Sequence, residues 1–466
     1  MTAELKAGVL PPYGMPGFDG PGEVPEQRLP EWMMDPNGGP PPMPKFDLEI
    51  AADIKDGKVE LAKMENVTLT GEMGEKSASG IKLVCDCENV NGVMVENGEY
   101  EITDSEFYSK GNGANDFAGV GSAIMTDKEG TLVLRNVNVT TAGCIRPCTC
   151  AAGESVMKIY NCTLTGEGGT LPENYKPVIG PGMMQAPPGL GIGGNCRTHL
   201  SLGNSRTYFY DSTIIADGWA ALSTDGCTDQ LFLEAHNCDV ICRNSGYGVY
   251  SDGGCVDWLD NCRIKTATHG AIMAGDCDLK LTGCTMESGQ YGVMLHTVMG
   301  TTAELGRLYI KDCDIHTGSD VLFMKSTNEY INIENSRISA DNGVLFHSII
   351  NDDECGSFVA EGEDNVYGVK IAVIGCDLTG DAVREDTQRH MSLNLKASSM
   401  KGAVEGCWLA MDDESSLFVT RDCCFALAGN GKIDAPEGVT VTLIPGEGCT
   451  AVSGKLASGG QLVVKG

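Results

Sequence analysis

Positive charge and aromatic rings are scarce in this chain. Lysine and arginine number 33 against 64 acidic residues, a formal net charge of −31, and aromatics make up 6% of the 466 residues. A surface of that sign repels phosphodiester backbones, so no nucleic acid is expected as a partner. It also repels polyanions such as pectate unless a cation intervenes. No apolar run is long enough to span a membrane, so no membrane partner is expected. The segment from Met1 to Ala7 lacks the basic and apolar regions of a secretory leader. The 21 cysteines show no spacing typical of a small disulfide scaffold. Those two features together place the chain in a reducing cytoplasm. No nucleotide-binding or redox-cofactor motif is visible, so no cofactor is expected. Helical apolar periodicity is also missing.

What the chain does contain is a repeat. A polar residue, then Cys or another small residue, then a β-former two places on, recurs from Asn66-Val67-Thr68-Leu69 to Asp422-Cys423-Cys424-Phe425. Between them lie Asn161-Cys162-Thr163-Leu164, Asn237-Cys238-Asp239-Val240, Asn261-Cys262-Arg263-Ile264 and Asp312-Cys313-Asp314-Ile315. In the middle of the chain the period is 22 to 29 residues, the mark of a stacked repeat architecture. Each unit reads as short alternating runs broken by Gly, Asn, Asp and Ser, which is strand-and-turn chemistry. Two or three strands per period describe one coil of a parallel β-helix, with coils stacked about 4.8 Å apart. Cys238, Cys262, Cys284 and Cys313 then form one ladder, and Cys150, Cys196, Cys227, Cys255 and Cys277 a second. Both read as packing thiols in tight interior corners.

These repeats, from about Asn66 to Phe425, resemble the right-handed parallel β-helix superfamily, the pectate lyase-like fold. The fold expectation is therefore all-β: a right-handed parallel β-helix solenoid with a Pro/Gly-rich N-terminal extension. Residues 1–45 read as a strap on the helix, 46–430 as the helix with a lid-like insertion at 166–200, and 431–466 as strands capping the stack. The resemblance implies a polysaccharide lyase or hydrolase, but the sugar-enzyme motifs are not in place. Arg263-Ile264-Lys265 precedes His269-Gly270 within one coil, the reverse of the polygalacturonase order. A calcium-dependent lyase would need a carboxylate cluster, for which Asp225, Asp229, Asp252 and Asp257 are available. Calcium is expected under that alternative alone.

The second strand of each coil supplies the candidate site. Aligning Ala221, Val249, Ala271, Val293, Val321 and Val344 as an inward column leaves Leu222, Tyr250, Ile272, Met294, Leu322 and Leu345 facing out. An apolar stripe of that length needs a cover, an oligomer interface or a ligand. The next outward column holds Thr224, Asp252, Ala274, His296, Met324 and His347, with Ala274 a small floor between Asp252 and His296. A carboxylate and an imidazole across a small concavity suit proton transfer. Asp252, His296, His347 and Tyr250 are the expected catalytic residues, Tyr250 as donor to an oxyanion. Leu222, Tyr247, His269, Ile272, Ala274, Tyr291, Met294, Leu322, Met324 and Lys325 are the expected substrate-binding residues. The expected function is acid–base chemistry, isomerase or lyase, on a small, largely apolar or cyclic substrate. The alternatives are a glycan enzyme and a non-enzymatic binding or assembly protein, with the stripe as a homo-oligomer contact. No metal site is expected: the Cys-dense turn around Arg146 has neither zinc nor iron–sulfur spacing.

Overall fold

The first residue of each repeat has to reverse the chain sharply. In the structure, a computed structural model, it does so in the left-handed region: φ is +55° at Asn136, +50° at Asn161, +52° at Asn237, +53° at Asp312 and +47° at Asn335. Asn and Asp enter that region more readily than other side chains. Glycine takes the same place at Gly283 and Gly375. The following Cys or Ser joins two coils. Cys162 Sγ donates to Tyr160 O at 3.2 Å and accepts from Val137 N at 3.4 Å. Ser212 Oγ donates to Tyr210 O at 2.8 Å and accepts from Cys162 N at 3.0 Å. Ser336 Oγ accepts from Cys313 N in the same way, Cys376 Sγ from Ser336 N, and Ser398 Oγ from Cys376 N. A small side chain that both donates and accepts is what this corner requires, and Cys and Ser supply it.

The structure describes residues 48–178, 180, 182–225, 231–296, 306–353, 368–387 and 389–465. The proline-rich segment expected as a strap, and Cys227 and Asp229, lie outside them. The described chain is all-β, with two single 3-10 turns, Asp116–Ala118 and Pro188–Leu190. It divides into two units, one ending at Ile272 and the other beginning at Met273. No helix among the described residues is long and apolar enough to cross a membrane.

Each unit is built from parallel ladders of the solenoid kind. In the first, Val156–Tyr160 lies between Thr131–Arg135 and Arg206–Tyr210, followed by Phe232–His236 and Val256–Asp260. Thr163–Gly166 pairs with Thr213–Ala216, which pairs with Asp239–Cys242. Thr149–Ala151 pairs with His199–Ser201, and His199 with Leu222. In the second unit, Gly306–Lys311, Glu329–Glu334, Val369–Ile374 and Met391–Lys396 form one ladder. Val293–Leu295, Leu322–Lys325, Phe346–Ser348 and Ala382–Arg384 form another. Thr440–Leu443 and Gln461–Val464 pair in parallel at the C-terminal end.

The register of the second-strand ladder differs from the sequence alignment by one residue. Leu222 lies beside Val249 and Ser223 beside Tyr250. Val293 lies beside Leu322 rather than Val321, and Leu322 beside Phe346 rather than Leu345. Irregularities between Ala216 and Gly218, and between Val344 and Phe346, each add a residue on one side of the pairing. A bulge of this kind shifts every later side chain to the other face. The column Val293, Leu322, Phe346, Ala382, Val404 is fully buried. Its neighbour on the opposite face is Met294, Phe323, His347, Val383, Glu405, which ends on an exposed residue. The expected apolar outer stripe from Leu222 to Leu345 is therefore not one column. Leu222 sits with His199, whose ring packs edge-on against buried Phe209, and Leu322 faces the core.

Candidate functional site

In the second unit, the outward side of the second-strand ladder gathers two histidines, each held by an aspartate. His347 Nδ1 donates to Asp320 Oδ2 at 2.8 Å. Asp320 is buried, and its other oxygen accepts from Asn342 Nδ2 at 2.7 Å. With Nδ1 committed, the ring's remaining nitrogen, Nε2, is 3.6 Å from Glu385 Oε2. The Asp320 hydrogen bond, reinforced by the nearby Glu385 charge, raises the His347 pKa above its ordinary value despite partial burial. Phe323, beside His347 in the ladder, meets its ring edge-on at 5.6 Å and stacks on Tyr291 at 4.2 Å.

His296 Nδ1 donates to Asp353 Oδ2 at 3.0 Å. Lys325 bonds to Asp353 as well, and reaches Asp352 at 2.6 Å. Burial works to raise Asp353, but the His296 hydrogen bond and the Lys325 ammonium outweigh it and hold the carboxyl below its usual range. His296 is 1% exposed, and its Nε2 has no hydrogen-bond partner among the described residues. Gly275 N donates to His296 O at 3.1 Å, which sets Ala274 beside His296 in adjoining strands.

His347 also forms part of the wall of a cleft of about 320 Å³, with Val344, Val383, Arg384, Glu385, Glu405 and Arg421 around it. Arg421 bridges Asp381 and Glu405, at 3.2 and 2.7 Å. Arg384 is fixed by backbone carbonyls, Nε to Arg389 O at 2.7 Å and Nη1 to Gly406 O at 3.3 Å. The cleft therefore offers guanidinium donors, two carboxylates and one oriented imidazole. Glu385, its side chain 66% exposed, is the most accessible acid in the group.

The other expected site residues are distributed as follows. Tyr250, Asp252, Tyr247, Leu222, His269 and Ile272 belong to the first unit. Ala274, Tyr291, Met294, His296, Leu322, Met324, Lys325 and His347 belong to the second. Neither unit by itself contains the Asp252–Ala274–His296 arrangement. Tyr247 is buried and its hydroxyl pairs with Ser223 Oγ at 2.8 Å, while its ring lies 5.3 Å from that of Tyr250. Asp252 is nearly buried, and its carbonyl accepts from Cys255 N in a tight turn. His269 Nε2 donates to Leu190 O at 2.9 Å and so anchors the 166–200 insertion. Ser245 Oγ accepts from Gly193 N at 2.7 Å and fixes the same segment. Met324, in register with Leu295 and Ser348, faces opposite to Phe323 and His347.

Sequence reading missed Asp320 and Asp353, which lie 27 and 57 residues from their histidines. The 384–390 segment also contributes to the site. There Asp386 is buried, accepting from Ser326 Oγ at 3.0 Å and Arg389 N at 3.1 Å, and Arg384 and Glu385 line the cleft. The four aspartates considered for calcium do not form a described cluster. Asp257 is in the core, Asp225 pairs with Arg197, and no group of three or more His, Cys, Asp or Glu among the described residues is placed to hold a metal. No protein-family model matches the chain, and no curated protein sequence matches it.

Proposed function

We propose that the chain is a right-handed parallel β-helix of the pectate lyase-like kind that works as an acid–base enzyme of the lyase or isomerase type. The observation carrying this reading is the His347–Asp320 pair on the wall of the cleft. A buried aspartate that holds one imidazole nitrogen leaves the other aimed and available for proton transfer. The Asp320 hydrogen bond raises the His347 pKa and so favours the protonated ring, the acid in this reading. Glu385, next to it, is the matching base. The substrate is small and carries a carboxylate, which the Arg384 and Arg421 guanidiniums hold. That is a more polar substrate than the apolar one expected from the sequence, because the cleft lining is charged.

In the elimination this supports, the Glu385 carboxylate takes a proton from the carbon next to the substrate carboxylate. The electron pair of that C–H bond forms the new double bond. The bond to the leaving group breaks toward the leaving atom, and His347 Nε2–H protonates it. Glu385 and His347 then exchange protons with water to reset. If His347 instead returned a proton to carbon, the same pair would isomerise the substrate.

A panel of 2- and 3-hydroxy and amino carboxylates, incubated with the protein in D2O and followed by proton NMR, tests this. The expected result is deuterium incorporation or elimination with at least one member, abolished in His347→Gln. Inertness across the panel, with no ligand-induced change in His347 ring resonances, argues against the assignment.

A further inference from the structure

In the first unit, the ladder from Thr131–Arg135 through Val156–Tyr160, Arg206–Tyr210 and Phe232–His236 to Val256–Asp260 has an outer face rich in rings. Ile159, Phe209, Ala235 and Leu259 are buried in the core, so the residues on either side of them face away from it. In one outward column Tyr160 stacks on Tyr210 at 4.9 Å, and Tyr210 on His236 at 5.3 Å. Trp258, from the next column, meets His236 edge-on at 5.4 Å, and Tyr208 lies 5.8 Å from Phe232. All of these rings are half-buried. Adjacent strands are about 4.8 Å apart, so the four strands carrying them give a strip about 14 Å long. In a chain with 6% aromatics, that concentration on one outer face marks a docking surface.

The same face holds two cations that lack a counter-ion. Lys158 stands beside Tyr208 and Arg206 beside Phe232, and neither makes an ion pair among the described residues. His236, by contrast, is held between Glu234 and Asp260, and Arg135 covers Tyr160 and pairs with Glu101. An occupant that matches this face is extended, apolar and acidic. Residues 11–44 of this chain have that composition: eleven of the 19 prolines, five acidic residues against one basic, Trp32 and four methionines. A proline-rich chain favours the polyproline II form, which has no internal hydrogen bonds to give up and loses little conformational entropy on docking. That form repeats about every 9.3 Å, close to two strand spacings of about 9.6 Å. Every third residue of a segment laid along the stack therefore meets an equivalent ring position. The described chain begins at Leu48, and Glu49–Lys55 pairs with Val90–Glu96. That strand runs on to Glu99–Thr103, beside Thr131–Arg135 at the start of the ladder. The segment thus joins the unit that carries the rings, and at about 3.1 Å per residue it reaches roughly 100 Å.

We propose that residues 11–44 dock on this face of their own chain. Proline and methionine side chains pack over the strip from Tyr160 to Trp258. Glu23, Glu26, Glu31 and Asp35 supply carboxylates to Lys158 and Arg206. Aromatic recognition of proline gives the contact its area, and the charges fix its position along the stack. The docked segment shields the rings from water and from other chains. This surface shares no residue with the His347 cleft and stands or falls separately from it.

The test is zero-length cross-linking of the full-length protein with a water-soluble carbodiimide, which joins an amine only to a carboxylate in contact with it. An equal mixture of nitrogen-15-labelled and unlabelled chains is used, and the links are located by mass spectrometry. The expected result is a link from Lys158 to Glu23, Glu26, Glu31 or Asp35, with both peptides of one isotope. Links of mixed isotope would make the occupant a second copy. Links from Lys158 to carboxylates outside 11–44 alone, or none, would leave the face without this cover. Either result overturns the proposal, and neither depends on a variant folding. Limited trypsin digestion gives a second measurement. In Tyr208→Ser/Phe232→Ser, cleavage after Arg28 should be about tenfold faster than in the parent, while sites between the strands are cut at the parent rate. An unchanged rate after Arg28 in the folded variant would also overturn it.

Discussion

The Thr224 hydroxyl lies 2.9 Å from the Asp257 carboxyl and also 2.9 Å from the Tyr250 carbonyl. One hydroxyl proton satisfies one acceptor. When it goes to the carbonyl, Asp257 must bring a proton of its own, and burial raises the Asp257 pKa to about 8. Between the ordinary aspartate value and 8, the folded chain then holds a proton that the unfolded chain has lost. By linkage, stability from this group is full in acid and declines as pH rises, until it levels off above 8. Asp257→Asn removes that titration. Thermal melts at intervals from pH 5 to 8.5 should show the variant gaining on the parent as pH rises. Parallel curves would mean that Asp257 is ionised in the fold.

The left-handed turn residues carry a measurable share of the stability. Asn161 has φ +50°, and its side chain donates to Asn136 Oδ1 at 2.7 Å. Asn161→Ala loses the bond and forces a Cβ without compensation into that region, at a cost of about 1–2 kcal/mol. Asn161→Gly loses the same bond without the conformational penalty and should fall between the two. Urea unfolding of the three proteins orders them. An alanine variant as stable as the glycine variant would count against backbone strain as the reason for asparagine here.

These turns were also the most legible part of the sequence. The repeat Asn-Cys or Asp-Ser is visible because backbone geometry at the corner admits few residue types, so the period survives whatever the strands contain. The second-strand register was not legible, because a bulge adds a residue without leaving a composition signal. Ala216, Gly218 and Val344 look like ordinary strand residues, yet the pairing slips by a residue beside them. The same shift replaced Met324 with Phe323 as the neighbour of His347. Asp320 and Asp353 were hidden for a different reason: each reaches its histidine from a segment outside the strand that carries it, where column counting does not extend.

His347 makes a stability prediction of the same sign as Asp257. Its folded pKa is raised, so its ion pairs stabilise fully below about pH 6.5, the ordinary histidine value, and the contribution is lost as pH rises through the folded pKa. Asp320→Asn removes the main cause of the shift. The His347 titration, followed by NMR of its ring protons, should move down toward 6.5 in that variant. The stability difference from the parent should shrink at alkaline pH. A midpoint unmoved by the substitution would assign the shift to Glu385.

The thiols are predicted to be poor nucleophiles despite their number. All the cysteines described are free, and most are buried. Burial pushes Cys148, Cys242 and Cys407 up to about 12, well away from the thiolate range. Cys87, Cys424 and Cys449 are only partly buried. Brief alkylation of the native protein with iodoacetamide at pH 8 should therefore modify these three ahead of every other described cysteine. Early modification of Cys148 or Cys407 would show that the interior opens on that timescale.

Arg146 should behave as a structural tie whose removal is costly. The sequence placed it in a Cys-dense turn, and the structure buries it completely. Its Nη1 donates to Cys87 O at 2.8 Å and Gly111 O at 3.2 Å, and its Nη2 to Val90 O at 3.0 Å. One side chain thus satisfies three carbonyls from residues 87–111, more than 30 residues upstream of it. Arg146→Met leaves those carbonyls bare at about 1–3 kcal/mol apiece, so a loss of about 3 kcal/mol or more is expected. Arg146→Lys retains one donor group and should lose less. Hydrogen exchange locates the effect: amides in Lys82–Asp86 and Glu106–Lys110 should lose protection first, because their loops lose this anchor. Uniform loss of protection across both units would instead mark Arg146 as part of a global unfolding step, not a local tie.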